Sequence, residues 1–349
     1  MKKLLLLLIA FVACTMSSNA QDDLVATLSH GSNLTTYIGA DALSEAYTAA
    51  VAGDIITLSP GVFNSVNIEK AIIVRGAGMM AMESNGYVST QLAGEMTINV
   101  PSNTSSILTI EGVQALGNVS INGENLAPIK VLKSRFETKV TGYGVSMTAN
   151  SCIFANGLHA VCDRSGARNT TLNCFNCVIV NAASDGYCYN AFVAKIEAIN
   201  CLVNLSGSNV SYCVFTNSII TSEYLDYRTY PLPETCSVQN CIGINSNYTP
   251  DLFVNIDNPS NSMLEGSGED AFTPIFKTLK MLRANPAFNE TYELTETAAA
   301  TYLGDDGKQV GIYGGTNPYN PTPTNPQIKK FTVNSTTEGT TLKVKINVE

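Results

Sequence analysis

Leu172-Asn173-Cys174-Phe175-Asn176-Cys177 and Ile196-Glu197-Ala198-Ile199-Asn200-Cys201 follow one pattern: apolar, any, apolar, any, turn residue, small residue. Six more segments fit it: Ile72 to Ala77, Leu108 to Val113, Ile129 to Ser134, Met147 to Cys152, Cys213 to Ser218 and Cys236 to Cys241. The turn residues fall at 76, 112, 133, 151, 176, 200, 217 and 240, with spacings of 17 to 36 residues. Alternation with period two puts the first and third residues on one face of a strand. The fifth is Gly or Asn in six of the eight copies. Those residues tolerate a left-handed backbone, so each strand turns a corner there and the small sixth residue points inward. Repeats of this length stack like on like as a solenoid of parallel strands. A sandwich would have no reason to repeat corner and small residue in register.

The stacking predicts a ladder of Asn176, Asn200, Asn217 and Asn240 whose amides hydrogen-bond between repeats and to the turn backbone. It also predicts a column of Cys152, Cys177, Cys201 and Cys241 at the sixth position, where Ser134 and Ser218 substitute. Cys174, Cys213 and Cys236 stand at inward positions otherwise filled by Val, Ile, Met or Leu. Cysteine is therefore expected to act as a small hydrophobe. The Cys174-Phe-Asn-Cys177 spacing has no second Cys or His pair to make a zinc site, so no metal is expected.

Around the repeats, Asp41 to Val51 reads as a helix with Ala42, Leu43 and Ala46 on one face, placed to cap the open end of the stack. Ile55 to Leu58 is the first buried strand, and Leu252 to Met281 breaks the rhythm as a projecting loop with a helical piece near Phe272 to Leu282. A Pro-rich linker, Asn317 to Pro326, excludes helix and central strand. Beyond it, Ile328 to Val333 and Thr341 to Val348 read as a ribbon that lies on the solenoid or pairs with its edge.

Residues 1–20 read as a signal peptide: Lys2 and Lys3, an apolar run from Leu4 to Ala13, and Ser18-Asn19-Ala20 before the cut. The rival reading makes Cys14 a lipidated cysteine. The run is too short to span a bilayer, and nothing later is long enough. Secretion or display at the cell envelope follows. With a net charge of −9 and no basic run longer than two, the chain is not expected to bind nucleic acid.

Ala52-Gly-Asp54-Ile-Ile56, Ser59-Pro-Gly61-Val-Phe63 and Val66 to Gly78 resemble the N-terminal part of the pectin-lyase-like superfamily. Gly304 to Gly315, preceded by Tyr292-Glu-Leu294, looks like the closing coil of exported proteins of that kind. The resemblance implies an all-β chain: a right-handed parallel β-helix over residues 21–319 with an N-terminal capping helix, then linker and β-ribbon over 320–349. It says little of activity, since such folds host lyases, hydrolases, esterases and non-catalytic proteins. No Arg-x-Pro-x-x-Arg segment, esterase signature or acidic Ca²⁺ triplet of that superfamily is present; Asp305-Asp306 is a candidate Ca²⁺ ligand pair in a turn that needs no metal.

Candidate glycan-binding residues lie between the repeats. Glu223, Tyr224, Asp226, Tyr227 and Arg228 combine carboxylates, aromatic rings and a guanidinium suited to sugar stacking and hydrogen bonding. Asp163, Arg164 and Asp185 are the second group, with Arg168, Tyr187 and Tyr189 nearby. His30 is expected to be exposed, and His159 to sit in a loop. These features point to a monomer that binds a polysaccharide or surface glycan without cofactor. The alternative is a lyase or glycoside hydrolase acting on an acidic polysaccharide.

Overall fold

A computed structural model describes residues 24–80, 89–99, 106–122, 128–162, 168–187, 192–205, 210–222, 231–245, 252–253, 255–256, 258–264, 269–324, 328–333 and 344–348. The chain is mostly β, built on long parallel sheets. It visits them in rotation. Leu108–Glu111 lies in the first sheet, Val113–Ala115 in the second, and Val119–Asn122 in a third row of strands. The next circuit repeats this with Ile129–Leu132, Arg135–Phe136 and Val140–Tyr143, and the next with Ser146–Asn150, Ile153–Phe154 and Leu158–Val161. From Val178–Ser184 onward the second and third rows merge into one strand per circuit.

The register follows the repeat. Ile110, Val131, Ala149, Cys174, Ala198, Phe215 and Val238 lie opposite one another along the first sheet, all buried. At the corners Gly112, Lys133, Ser151, Asn176, Asn200, Asn217 and Asn240 all have φ between 49° and 67°. Lys133 and Ser151 thus take a left-handed conformation that costs such residues about 1–2 kcal/mol. The stack around them imposes it.

At the sixth position the cysteines do more than pack. A left-handed corner turns the next backbone N–H into the interior, where it needs an acceptor. Cys152 N donates to Cys177 Sγ (3.4 Å), Cys177 N to Cys201 Sγ (3.4 Å), Cys201 N to Ser218 Oγ (3.0 Å) and Ser218 N to Cys241 Sγ (3.4 Å). Each thiol or hydroxyl donates in turn to a carbonyl two residues earlier, as Cys177 does to Phe175 O (3.2 Å) and Ser218 to Thr216 O (2.8 Å). That relay explains why Cys and Ser interchange there while both remain buried, and it corrects the reading of these cysteines as mere hydrophobes. Where Val113 holds the position and has no acceptor, Ala77 N turns to Thr90 Oγ1 instead (2.8 Å). Burial pushes the Cys152 thiol up and the Cys241 thiol up to about 12, so both stay protonated donors at neutral pH.

The N-terminal end is closed by elements beyond the repeats. Val25–His30 pairs antiparallel with Ile55–Leu58 and with an outer strand, Asn33–Ile38. The helix Ala42–Ala49 packs on these strands through Ala42, Leu43 and Ala46.

The C-terminal third departs from the sequence reading. Only Glu269–Phe272 of the projecting segment's described residues is helical, upstream of the expected piece. Far from projecting, Phe272, Ile275, Phe276, Leu279 and Leu282 are buried against Ile153, Val178, Leu202, Ile219 and Ile242 on the outer side of the second sheet. Tyr292, Leu294, Val310 and Ile312 join the same layer, so Gly304 to Gly315 is a cover and not a closing coil. The cover then runs back along the asparagine corners. Asn217 Nδ2 donates to Asp305 Oδ1 (2.7 Å), Asn176 Nδ2 donates to Ile312 O (2.8 Å) and Gly314 O (2.9 Å), and Thr324 N and Oγ1 donate to Glu111 Oε1 (2.9 and 2.7 Å). Of the expected asparagine ladder, Asn240 Nδ2 to Asn217 Oδ1 (3.3 Å) is the bond between circuits; Asn176 and Asn217 hold the cover, and Asn200 Oδ1 is buried without a hydrogen-bond partner among the described residues. The terminal ribbon, Ile328–Val333 with Val344–Val348, forms a separate two-stranded antiparallel sheet and adds no strand to the others.

Candidate functional site

The outer side of the third row of strands is half-exposed at Thr97, Ser120 and His159, with Thr141 buried between them. Along it Thr97, Ser120, Thr141 and His159 lie opposite one another on four neighbouring strands. Their inward neighbours Met96, Val119, Val140 and Leu158 are buried, so alternation sends the Thr/Ser/His row outward. Just before each strand, Glu95, Asn118 and Lys139 form a parallel charged and polar row, all exposed. Two residues further along the face, Asn122 and Tyr143 are paired, which sets an aromatic ring beside the hydroxyl row.

Glu95, Met96, Thr97, Asn118, Ser120, Lys139 and Thr141 line a shallow trough of about 200 Å³. Asn118 Nδ2 donates to Glu95 Oε1 (3.3 Å), and Asn67 Oδ1 accepts from Thr97 N (3.0 Å), which ties the first strand to the circuit before it. At the Lys139 end of the trough, Gly157 lies between that side chain and His159, and its φ of +139° disfavours any side chain. Burial lowers the His159 pKa, the Lys139 ammonium lowers it further, and the Asp185 carboxylate opposes both. His159 is therefore a neutral imidazole at pH 7, half-buried on a strand and not in a loop.

Of the charged groups singled out from sequence, Asp185 lies on this surface, just past the strand that pairs with Leu158–Val161. It is exposed, and its Oδ2 accepts from Cys162 N (2.9 Å). Glu223, Tyr224, Asp226, Tyr227, Arg228, Asp163, Arg164 and Tyr189 lie outside the described residues. Tyr187 contributes backbone pairing with Val193. Exposed His30 meets Asp54 Oδ1 at 2.8 Å through Nδ1, away from the trough.

Among the described residues, one cysteine outside the repeat is disulfide-bonded. Cys162 is disulfide-bonded, with its partner outside the described residues, while the seven other described cysteines are free. At the Gly304–Gly307 turn, Asp305 is engaged by Asn217 and Asp306 accepts from Lys308 N (3.0 Å). Asp305 therefore ties the turn to the corner at Asn217, and Asp306 serves the turn itself. Among the described residues no group of three or more His, Cys, Asp and Glu gathers to hold a metal ion, and no helix is long and apolar enough to cross a membrane.

Sequence reasoning missed the trough because Thr, Ser, Asn and Lys on a strand are ordinary surface residues. Its signal was present: a Thr97/Ser120/Thr141/His159 column becomes visible once the third strand of each circuit is aligned as the first was. Comparison with known proteins finds no family model that matches the chain and no curated protein significantly similar to it.

Proposed function

We infer that the chain is an exported right-handed parallel β-helix of the pectin-lyase-like kind that binds a neutral glycan along the trough. The carrying observation is the row of hydroxyl and amide side chains lining a trough of about 200 Å³, with Tyr143 two residues further along the same strand face. Sugars are recognised by such convergent polar groups with an aromatic face for the ring. The volume is below the roughly 300–1,000 Å³ of drug-sized pockets, which suits a chain of sugar units lying on an open face. Glu95 and Asp185 flank Lys139 and a neutral His159, and the chain carries a net charge of −9. That balance repels a polyanion and favours a neutral chain. The Cys162 disulfide fits an oxidising compartment, in keeping with residues 1–20 as a signal peptide.

Binding without cleavage is the favoured reading on geometric grounds. A glycosidase needs two carboxyl groups about 5–10 Å apart. Glu95 and Asp185 stand four strands apart on this face, about 19 Å at the usual strand spacing. Affinity electrophoresis of the purified chain through gels carrying neutral or acidic polysaccharides tests the reading. Retardation by a neutral polysaccharide, with Tyr143→Ala binding roughly tenfold more weakly, is expected. Release of unsaturated or reducing ends would establish the lyase or hydrolase alternative, and equal mobility in every gel would remove the glycan.

A further inference from the structure

The seven free cysteines are not equivalent. Cys152, Cys177, Cys201 and Cys241 donate to backbone carbonyls at 3.2–3.3 Å. Cys213 and Cys236 reach carbonyls only at 3.6 and 3.8 Å. These two share the first position of the repeat on neighbouring strands. Val214 lies opposite Ser237 and Phe215 opposite Val238, which sets Cys213 opposite Cys236, and Ser237 N donates to Cys213 O at 2.9 Å. Parallel neighbours are about 4.8 Å apart, within the roughly 4.4–6.8 Å between Cα atoms that a disulfide spans. Both side chains are buried in the same interior. Cys236 follows the exposed residues Glu234 and Thr235 in a turn closed by Cys236 N donating to Pro233 O (2.9 Å).

We propose that Cys213 and Cys236 are an oxidisable dithiol that closes to a disulfide and locks two circuits near the C-terminal end of the first sheet. The two thiols divide the chemistry between them. The Cys236 thiol beside it, with help from the Ser184 hydroxyl, holds Cys213 below the ordinary cysteine value against the effect of burial, while Cys236 is pushed up. Opening of the Pro233–Cys236 turn admits a small-molecule disulfide such as oxidised glutathione. The Cys213 thiolate attacks one of its sulfurs and expels a glutathione thiolate, which takes the Cys236 proton. Cys236 then attacks the mixed disulfide at the Cys213 sulfur and expels the second glutathione. One protein dithiol and one oxidised glutathione become one protein disulfide and two glutathiones.

The test is intact-mass and peptide mapping of the full chain, before and after oxidised glutathione, both folded and during refolding. The expected product has lost the mass of two hydrogens, yields a peptide linking Cys213 to Cys236, and melts roughly 5 °C higher. Cys213→Ser and Cys236→Ala should each abolish the cross-link, and Cys174→Ser should leave it intact. Retention of all seven thiols in both arms, or a cross-link joining other cysteines, overturns the proposal. The outcome is independent of glycan binding.

Discussion

The second and third rows of strands share a backbone plan and differ in what their outer sides require. Outward along the second sheet runs Gln91, Gln114, Arg135, Ile153, Val178, Leu202, Ile219 and Ile242, in register. Its first part is polar: Gln91 Nε2 donates to Gln114 Oε1 (2.9 Å), Gln114 Nε2 donates to Glu137 Oε1 (2.5 Å), and Arg135 Nε donates to the same oxygen (2.6 Å). From Ile153 onward it is apolar, and there the chain covers it with residues 271–312. Arg135 marks the boundary, donating to Pro286 O (2.7 Å) with its guanidinium 4.3 Å from the Phe288 ring. The third row presents half-exposed Thr97, Ser120 and His159 around a buried Thr141, with no apolar layer of described residues over it. An apolar outer face must be buried by the chain itself, whereas a polar one is free to meet another molecule.

That contrast is broken most directly by exchanging the character of the two faces. Leu202 is 1% exposed beneath the cover. Leu202→Asp should cost about 4 kcal/mol, because an unpaired carboxylate has no partner there. Residues 269–324 should become the first site of limited proteolysis. Ser120→Asp on the open face should change stability by no more than about 0.5 kcal/mol. Equal denaturant midpoints for the two variants would show that the cover adds nothing to stability.

A smaller effect separates packing from hydrogen bonding in the cysteine column. Cys201→Val keeps an apolar side chain but removes the acceptor of Cys177 N and the donor to Cys174 O and Ile199 O. It should destabilise by about 2 kcal/mol, whereas Cys201→Ser should recover most of that, as Ser218 does one circuit later. If Val proved the better replacement in urea denaturation, the relay would be irrelevant and burial alone would decide the position.

The parts legible in the sequence were those where backbone geometry dictates residue type. A left-handed corner selects Gly and Asn, so seven of the eight corners read from the repeat are left-handed, Gly76 being the exception, and the strand register follows them. Lys133 and Ser151 were placed by their neighbours alone, since neither favours φ near 50°. Legibility failed where burial came from a distant segment. Nothing local marks Phe272 or Tyr292 as cover for Ile153 and Leu202, because an apolar run looks alike in a projecting loop and in a packed one. The strand pair Val25–His30 and Asn33–Ile38 was unread because its outer strand is mostly exposed, with Leu34 and Ile38 open to solvent. The trough failed for a third reason: its residues are common surface types, and only register brings them into line.

His159 offers the finest test of whether the open face is an organised site. Its imidazole is half-buried on that face, with the Lys139 ammonium and the Asp185 carboxylate as its charged neighbours. Burial and Lys139 together hold its pKa below the usual 6.5, so an unfolded chain takes up this proton at higher pH than the folded one. The contribution to stability is therefore complete above that value and is lost as pH falls through it. Relative to His159→Gln, the parent protein should lose ground in thermal midpoint between about pH 7.5 and about pH 5. Imidazole resonances followed by NMR should titrate below the ordinary range, and Lys139→Gln should move the midpoint up by removing the repelling charge. A midpoint at the ordinary value, unmoved by Lys139→Gln, would mean that His159 is fully solvated and that the strand face is only a surface.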